Sequence, residues 1–262
     1  MASTMALDFF KYQGTGNDFV IMDNRAGNIN LSEAQVKHIC DRRFGIGADG
    51  LMLLNSLEGY DFEMKYYNSD GRQSSMCGNG GRCLVQFAKD QGIHQTSFRF
   101  MAVDGEHLAE IGEHGWVHLK MLDVDKIEDY HGDAVLNTGS PHFVKQVEHV
   151  MDTNVFQQGQ AIRYSKQFQE KGINVNFVET TDNKIIVRTY ERGVEDETFS
   201  CGTGVTAAAL VFAHNENGFN RIEVQTKGGH LAVEFEKNGE DNFSNIWLCG
   251  PAEFVFKGVI NI

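Results

Sequence analysis

Proline is almost missing from this chain: Pro141 and Pro251 are the only two in 262 residues. Turns must then be made by Gly, Asn and Asp, and the 28 glycines present predict a strand-rich protein with short connections. No apolar run approaches the length needed to span a membrane. Met1–Phe10 lacks the basic-then-apolar pattern of a signal peptide. Basic residues are scarce. The 23 Lys and Arg against 36 Asp and Glu leave a formal charge of −13, which argues against a nucleic-acid partner because phosphate binding needs basic surface. Arg42-Arg43 is the one adjacent basic pair and reads as a helix terminus. A cytoplasmic protein without membrane or nucleic-acid partners is expected.

There is no Cys-x-x-Cys pair among Cys40, Cys77, Cys83, Cys201 and Cys249, which removes the usual zinc knuckle and the thioredoxin-type redox motif. An odd count fits free thiols in a reducing compartment. Cys40, Cys83 and Cys249 fall in apolar periodic segments and read as core thiols. Ten histidines show no metal-ligand spacing, so no metal is expected; His142, after Pro141, reads as a structural residue near the site. Gly14-x-Gly16 lacks the third glycine of a dinucleotide fingerprint.

What the chain does have is a repeat. Cys77-Gly78-Asn79-Gly80 returns as Cys201-Gly202-Thr203-Gly204, an offset of 124 that also carries Tyr66 to Tyr190 and Phe19-Val20 to Phe143-Val144. Phe87-Ala88 and Phe212-Ala213 follow the two cysteines, and Gly105–Ala109 is echoed by Gly228–Ala232 with the offset slipping by one, pairing His107 with His230. Five matches in one order indicate an internal duplication.

Alternating or continuous apolar runs predict strands at Leu7–Tyr12, Phe19–Asp23, Leu51–Leu54, Asp61–Tyr67, Ser97–Val103, Trp116–Met121, Lys184–Tyr190, Arg221–Thr226, Leu231–Glu236 and Glu253–Val259. Ser32 caps a helix over Glu33–Arg43. Helices over Gly81–Asp90 and Val205–Asn215 follow the two cysteine motifs, and the second is apolar on most faces, as expected of a helix threaded through a curved sheet. Asp152–Lys171 is partly helical. The expected class is α/β (α+β): two pseudo-symmetric lobes, residues 1–128 with Cys77 and 129–262 with Cys201, each a curved mixed or antiparallel sheet around a central helix. The division falls near Leu122–Val135, and the last strand is a candidate to return to the first lobe.

Each cysteine precedes Gly-x-Gly at the start of a helix. Unpaired N–H groups and the helix dipole make such a corner an anion site and favour a thiolate there. Two such corners facing one cavity would bind one carboxylate and place a base and an acid on opposite faces of the carbon beside it. The chemistry that follows is proton exchange with inversion. A carbon so weakly acidic requires strong electrostatic stabilisation from donors in a dry site.

At these residues the sequence resembles the diaminopimelate epimerases, within the cofactor-independent amino-acid racemases. The likeness is carried by Gly14–Val20, Arg43–Gly50, Tyr67–Gly71, Met76–Cys83, Gly139–His142, Asn174–Phe177, Tyr190–Gly193, Glu197-Thr198 and Cys201–Gly204. It implies interconversion of LL- and meso-diaminopimelate, toward lysine and cell-wall precursor, with no pyridoxal phosphate or other cofactor, and with a homodimer as the family's assembly. Carried over position by position, it implies Cys77 and Cys201 as the acid/base pair. It implies the backbones of Gly78, Asn79, Gly202 and Thr203 as the carboxylate cradle, Asn17 and Glu191 on the reacting amino group, and Asn68, Asn174 and Arg192 on the distal end. The site is expected in the cleft between the lobes, closing on substrate. Ser140 stands where many members have asparagine, and Gly50 where some have glutamine. The alternatives are a proline or hydroxyproline racemase, which would have histidine at Asn79; a phenazine-pathway-like isomerase, which does not rely on paired cysteines; and an amino-acid-binding protein, which would have lost one cysteine.

Overall fold

A computed structural model describes residues 5–262. In chain order the elements are β1 (Ala6–Gly14), β2 (Asn17–Asp23), α1 (Glu33–Cys40), β3 (Gly50–Asn55), β4 (Phe62–Asn68), β5 (Gln73–Ser74), α2 (Gly78–Asp90), β6 (Ser97–Ala102), β7 (Gly105–Ile111) and β8 (Val117–Lys120). They continue as β9 (Glu128–Tyr130), β10 (Asp133–Asn137), β11 (Pro141–Gln146), α3 (Val155–Arg163), β12 (Asn174–Thr180), β13 (Ile185–Glu191), β14 (Asp196–Thr198) and α4 (Gly202–Val211). β15 (Asn217–Thr226), β16 (Gly229–Asn238), β17 (Phe243–Gly250) and β18 (Glu253–Asn261) complete the chain. Two compact units result, one formed by the chain up to Leu119 together with Pro251–Ile262, the other by Lys120–Gly250.

In the first unit β18 lies antiparallel to β1, β1 antiparallel to β2, β2 parallel to β3, and β3 antiparallel to β4. β4 then pairs with the short β5 and, in parallel, with β6, which leads antiparallel to β7 and β8. β2 and β3 are continuously apolar because both faces are covered. Val20, Met22, Leu51 and Leu53 pack with Val36, Ile39 and Cys40 of α1 on one face. On the other face Phe19 and Met52 close on Gly80 of α2. α2 packs against β1, β2, β3, β7 and β18. Its partners come from distant positions in the strand order, so the sheet curls around it; Gly78–Val85, Phe87 and Ala88 are all buried.

The second unit repeats this plan. β9, β10 and β11 pair antiparallel, β11 runs parallel to β12, and β12 antiparallel to β13. β13 pairs with β14 and, in parallel, with β15, which continues antiparallel to β16 and β17. α3 covers one face over Phe143, Val175, Phe177 and Tyr190. α4 fills the curl, buried at Gly202 and from Gly204 to Leu210. An α+β fold of two matching halves, each with a sheet around a central helix, is what the repeat predicted.

The differences from expectation are local. α2 and α4 begin at Gly78 and Gly202, three residues before the apolar runs that predicted them, because burial overrides the poor helix propensity of glycine. α4 stops at Val211 and α1 at Cys40, so Arg42 lies beyond its helix rather than on its last turn. The repeat offset does not slip in the β6–β7 and β15–β16 hairpins, where Ala102 pairs with Gly105 and Thr226 with Gly229. Gly105 thus matches Gly229, both at positive φ, and His107 matches Leu231 rather than His230. The offset does slip by one in β11 and β13: Phe19 faces Gly80 of α2 whereas Phe143 and Tyr190 pack on the α3 side, and Met52 pairs with Tyr66 where Asn176 pairs with Thr189. A one-residue slip exchanges the two faces of a strand. Among the described residues, no helix is long and apolar enough to cross a membrane.

Candidate active site

Cys77 and Cys201 are the N-cap residues of α2 and α4, both in extended backbone (φ −101°, ψ 131° and φ −117°, ψ 111°). Their carbonyls accept the first helical hydrogen bonds, from Gly81 N–H at 2.7 Å and Val205 N–H at 2.8 Å. Neither side chain makes a capping bond, so both thiols are available for other contacts while the first-turn N–H groups keep their donor capacity. Cys77 is half-buried, while Cys201, Cys40, Cys83 and Cys249 are buried; burial pushes Cys40 and Cys83 up to about 12.

Around Cys77, the thiol lies 3.6 Å from Asn17 Oδ1, which also accepts from Asn79 Nδ2 at 3.4 Å. Asn17 Nδ2 donates to Asp49 Oδ2 at 2.5 Å. Behind it, Arg42 binds both Asp49 (2.7 Å) and Asp18 (2.6 and 3.0 Å), and the ammonium of buried Lys11 reaches Asp18 at 2.7 Å. Burial acts to raise the Asp18 pKa, but the hydrogen bonds and charges of Arg42 and Lys11 outweigh it and hold the carboxyl at about 2.

Around Cys201, the thiol lies 3.5 Å from Thr203 Oγ1. That hydroxyl is 2.9 Å from His142 Nε2 and 3.3 Å from Ser140 Oγ. His142 is fully buried, with Nδ1 3.1 Å from Asn176 Nδ2. Burial first, and the charge of Arg192 second, push its imidazole down to about 3. Asn174 donates from Nδ2 to Ser140 Oγ and to the Pro141 carbonyl, while its Oδ1 accepts from Arg192 N–H at 2.9 Å. Glu191 is half-buried at the end of β13; Arg192 follows it and donates from Nη1 to the Lys171 carbonyl. Asn68, exposed at the end of β4, joins a tight turn through backbone bonds with Arg72 and Gly71.

The diaminopimelate epimerase family model matches residues 9–126 and 134–255. The chain belongs to the diaminopimelate epimerase family. Among its relatives are diaminopimelate epimerases of Flavobacterium psychrophilum, 48% identical over 97% of this chain and all of that one, and of Chlorobaculum tepidum, 42% identical over 95% and 99%. Solved structures share the fold at much lower identity. A PhzF-family phenazine biosynthesis protein of Bacillus anthracis superposes with a TM-score of 0.79 at 17% identity, covering 98% of this chain and all of that one. A hydroxyproline epimerase of Agrobacterium vitis, with bound trans-4-hydroxy-L-proline, gives 0.67 at 13% identity over 98% and 91%.

Of the residues that carried the resemblance, Asn17 and Asn79 lie near Cys77 and Thr203 lies near Cys201. Gly50 has a local cause. A Cβ there would lie 2.5 Å from the Tyr66 ring and 2.6 Å from the Tyr67 carbonyl, so Tyr66 occupies the space a side chain would need. Sequence reasoning did not assign Asp49 or Asn176, although both lie inside or beside quoted motifs, and it took His142 as structural. For His142 and Asn176 the signal is polarity inside apolar strands: Asn176 is fully buried in β12, where the repeat-equivalent residue in β3 is Met52.

Proposed function

We propose that this protein interconverts LL- and meso-diaminopimelate by proton exchange at one α-carbon, with Cys77 and Cys201 as the two acid/base groups. One observation carries the reading. The two thiols occupy the same place in two matching units, each at the N-cap of a buried helix and neither spent on capping. One thiolate removes the α-proton from one face, the opposing thiol delivers a proton to the other, and the roles exchange in reverse. Both proton transfers are accounted for by sulfur, so the reaction calls for no metal or cofactor.

In this reading the first-turn N–H groups of Gly78, Asn79, Gly202 and Thr203 hold the reacting carboxylate and stabilise the charge that grows on it. The carbonyl oxygen of Asn17 and the carboxylate of Glu191 take the reacting ammonium. Arg192 and Asn68 recognise the distal amino acid, with Asn174 fixing the backbone beside Arg192 through the bond from its N–H. A cytoplasmic location, where five free cysteines persist, and a homodimer belong to the same reading.

The test is NMR of reduced protein with LL-diaminopimelate in D2O. Deuterium entering the α-carbon together with meso product, and lost in both Cys77→Ala and Cys201→Ala, is the expected result. Exchange with proline or hydroxyproline in place of diaminopimelate would reassign the substrate. No exchange with any of them would leave a binding protein.

A further inference from the structure

Glu195 sits in a backbone conformation that suits glycine better, and its side chain gives the reason. It closes the turn between β13 and β14 by donating its N–H to the Glu191 carbonyl at 2.8 Å, with φ at +59°. That left-handed region is sterically costly for a residue with a Cβ. The carboxylate folds back over the same turn. Oε1 accepts from Gly193 N–H and Oε2 from the Tyr190 hydroxyl, each at 3.1 Å. Arg163, the last residue of α3, brings Nε to 3.3 Å from Oε1. Burial acts to raise the Glu195 pKa, but the Gly193 N–H, the Tyr190 hydroxyl, the charge of Arg163 and the Tyr164 hydroxyl outweigh it and hold the carboxyl below its ordinary value.

The same carboxylate reaches Arg192 by a second route. Glu191 is still paired in the sheet, opposite Asp196 of β14, and Arg192 is the first residue of the turn. Its backbone N–H donates to Asn174 Oδ1 at 2.9 Å and its Nη1 to the Lys171 carbonyl at 3.0 Å. Gly172, at φ +74°, lies under two arginine side chains. A Cβ there would be 2.6 Å from Arg192 Cδ and 2.9 Å from Arg163 Cζ. Two cationic side chains thus pack over one glycine, and like charges so placed repel. Glu195 is the anion that pairs with Arg163. The Gln169 carbonyl, 3.3 Å from Arg163 Nη1, and the Tyr164 ring, 4.7 Å from its Cζ, complete the seat of that guanidinium. Arg192 is exposed, and its other guanidinium N–H groups are left for an anion.

We propose that Glu195 is a positioning residue for substrate recognition: by closing the turn on Gly193 and Tyr190, and by holding Arg163 beside the Arg192 stem, it presents Arg192 to the distal carboxylate of diaminopimelate. This rests on the reading above that gives Arg192 the distal end of the substrate, and adds Glu195 and Arg163 as the groups that set that recognition. The effect falls on binding rather than on proton transfer. Glu191 is anchored in the ladder, so it keeps its place when the turn loosens, and both cysteines belong to other elements. A contact to the distal end is the same before and during proton transfer. Its loss therefore raises KM and leaves kcat in place.

The experiment is steady-state kinetics of LL-diaminopimelate epimerisation by the full chain and by Glu195→Gly, which removes the carboxylate and relaxes the backbone instead of straining it. KM is expected to rise about tenfold while kcat changes by less than about twofold. Glu195→Gln keeps one accepting oxygen but no charge for Arg163, and its KM is expected between the two. Without substrate, hydrogen exchange followed by 15N NMR should find the Gly193 amide protected in the parent and at least about tenfold faster in Glu195→Gly. An unchanged KM in Glu195→Gly, a loss confined to kcat, or a Gly193 amide that exchanges equally in both proteins would each overturn the proposal. A parent inactive on diaminopimelate would count against the substrate reading instead, and the Gly193 exchange would still decide whether Glu195 holds the turn.

Discussion

Gly80 and Gly204 are repeat-equivalent, the third residues of α2 and α4, and a substitution at each separates helix propensity from packing. Alanine should gain roughly 0.5–1 kcal/mol at either position from propensity alone. At Gly80 the added Cβ would lie 3.3 Å from the Met52 sulfur and 3.4 Å from the Phe19 ring. Both contacts call for a shift of only a few tenths of an ångström, and the thioether is adaptable. At Gly204 the Cβ would lie 2.4 Å from Asn176 Oδ1. That oxygen is bound by Thr189, and its partner nitrogen is bound by His142 and Phe143, in a fully buried side chain. Moving it leaves at least one buried polar group unpaired, about 1–3 kcal/mol, on top of overpacking of similar size. Gly204→Ala should therefore lose about 2–4 kcal/mol net, while Gly80→Ala stays within about 1 kcal/mol of the parent. Urea unfolding followed through Trp247, in the second unit, with Trp116→Phe as background, measures the first. The same titration through Trp116, with Trp247→Phe, measures the second. Equal effects at the two glycines, or a stabilised Gly204→Ala, would refute the view that the Asn176 network is locked.

Acid should weaken the two units at different points. His142 is held neutral down to about 3 against an ordinary value of 6.5, so the unfolded state binds the extra proton and the second unit loses stability as pH falls from 6.5 toward 3, by up to ~1.4 kcal/mol per pH unit. Asp18 is depressed from 3.8 to about 2, so its contribution to the first unit is present above 3.8 and is lost only as pH falls toward 2. Urea midpoints at a series of pH values check both, and a second unit insensitive to pH between 6 and 4 would contradict the burial of a neutral His142. Among the cysteines, native alkylation should modify Cys77 and Cys201 and spare Cys40, Cys83 and Cys249 until the protein unfolds; peptide mapping that finds Cys83 labelled as fast as Cys77 would contradict the packing of α2.

The duplication was legible because it shows as identical residues at one spacing, and backbone plan follows such spacing closely. The two cysteines were legible for the same reason. The glycine-led first turns of α2 and α4 were not, since propensity places those residues outside a helix and only burial among Phe19, Met52 and Asn176 brings them in. The polar groups around the cysteines were hidden by a different cause. Asp49, His142 and Asn176 have no equivalents of the same type in the other half: Met52 matches Asn176, and Phe19 takes the place of His142. A search for repetition passes over the positions where the halves diverge, and those positions set the surroundings of each thiol.

The return of β18 to the edge of β1 has a consequence for biosynthesis. Residues 253–261 pair along nearly the whole of β1, from Ala6 with Asn261 to Gln13 with Glu253, and α2 packs against both strands. A ribosome delivers β1 early and β18 after every residue of Lys120–Gly250 has been made. The second unit is one uninterrupted stretch and is free to fold as it emerges. The first must hold an open edge at β1, with Phe9 and Tyr12 awaiting Phe256 and Phe254, until the last strand arrives. Unpaired strand edges template association with other chains, so the nascent first unit is the vulnerable part during translation, and a truncation that removes β18 should aggregate even with both cysteine corners intact.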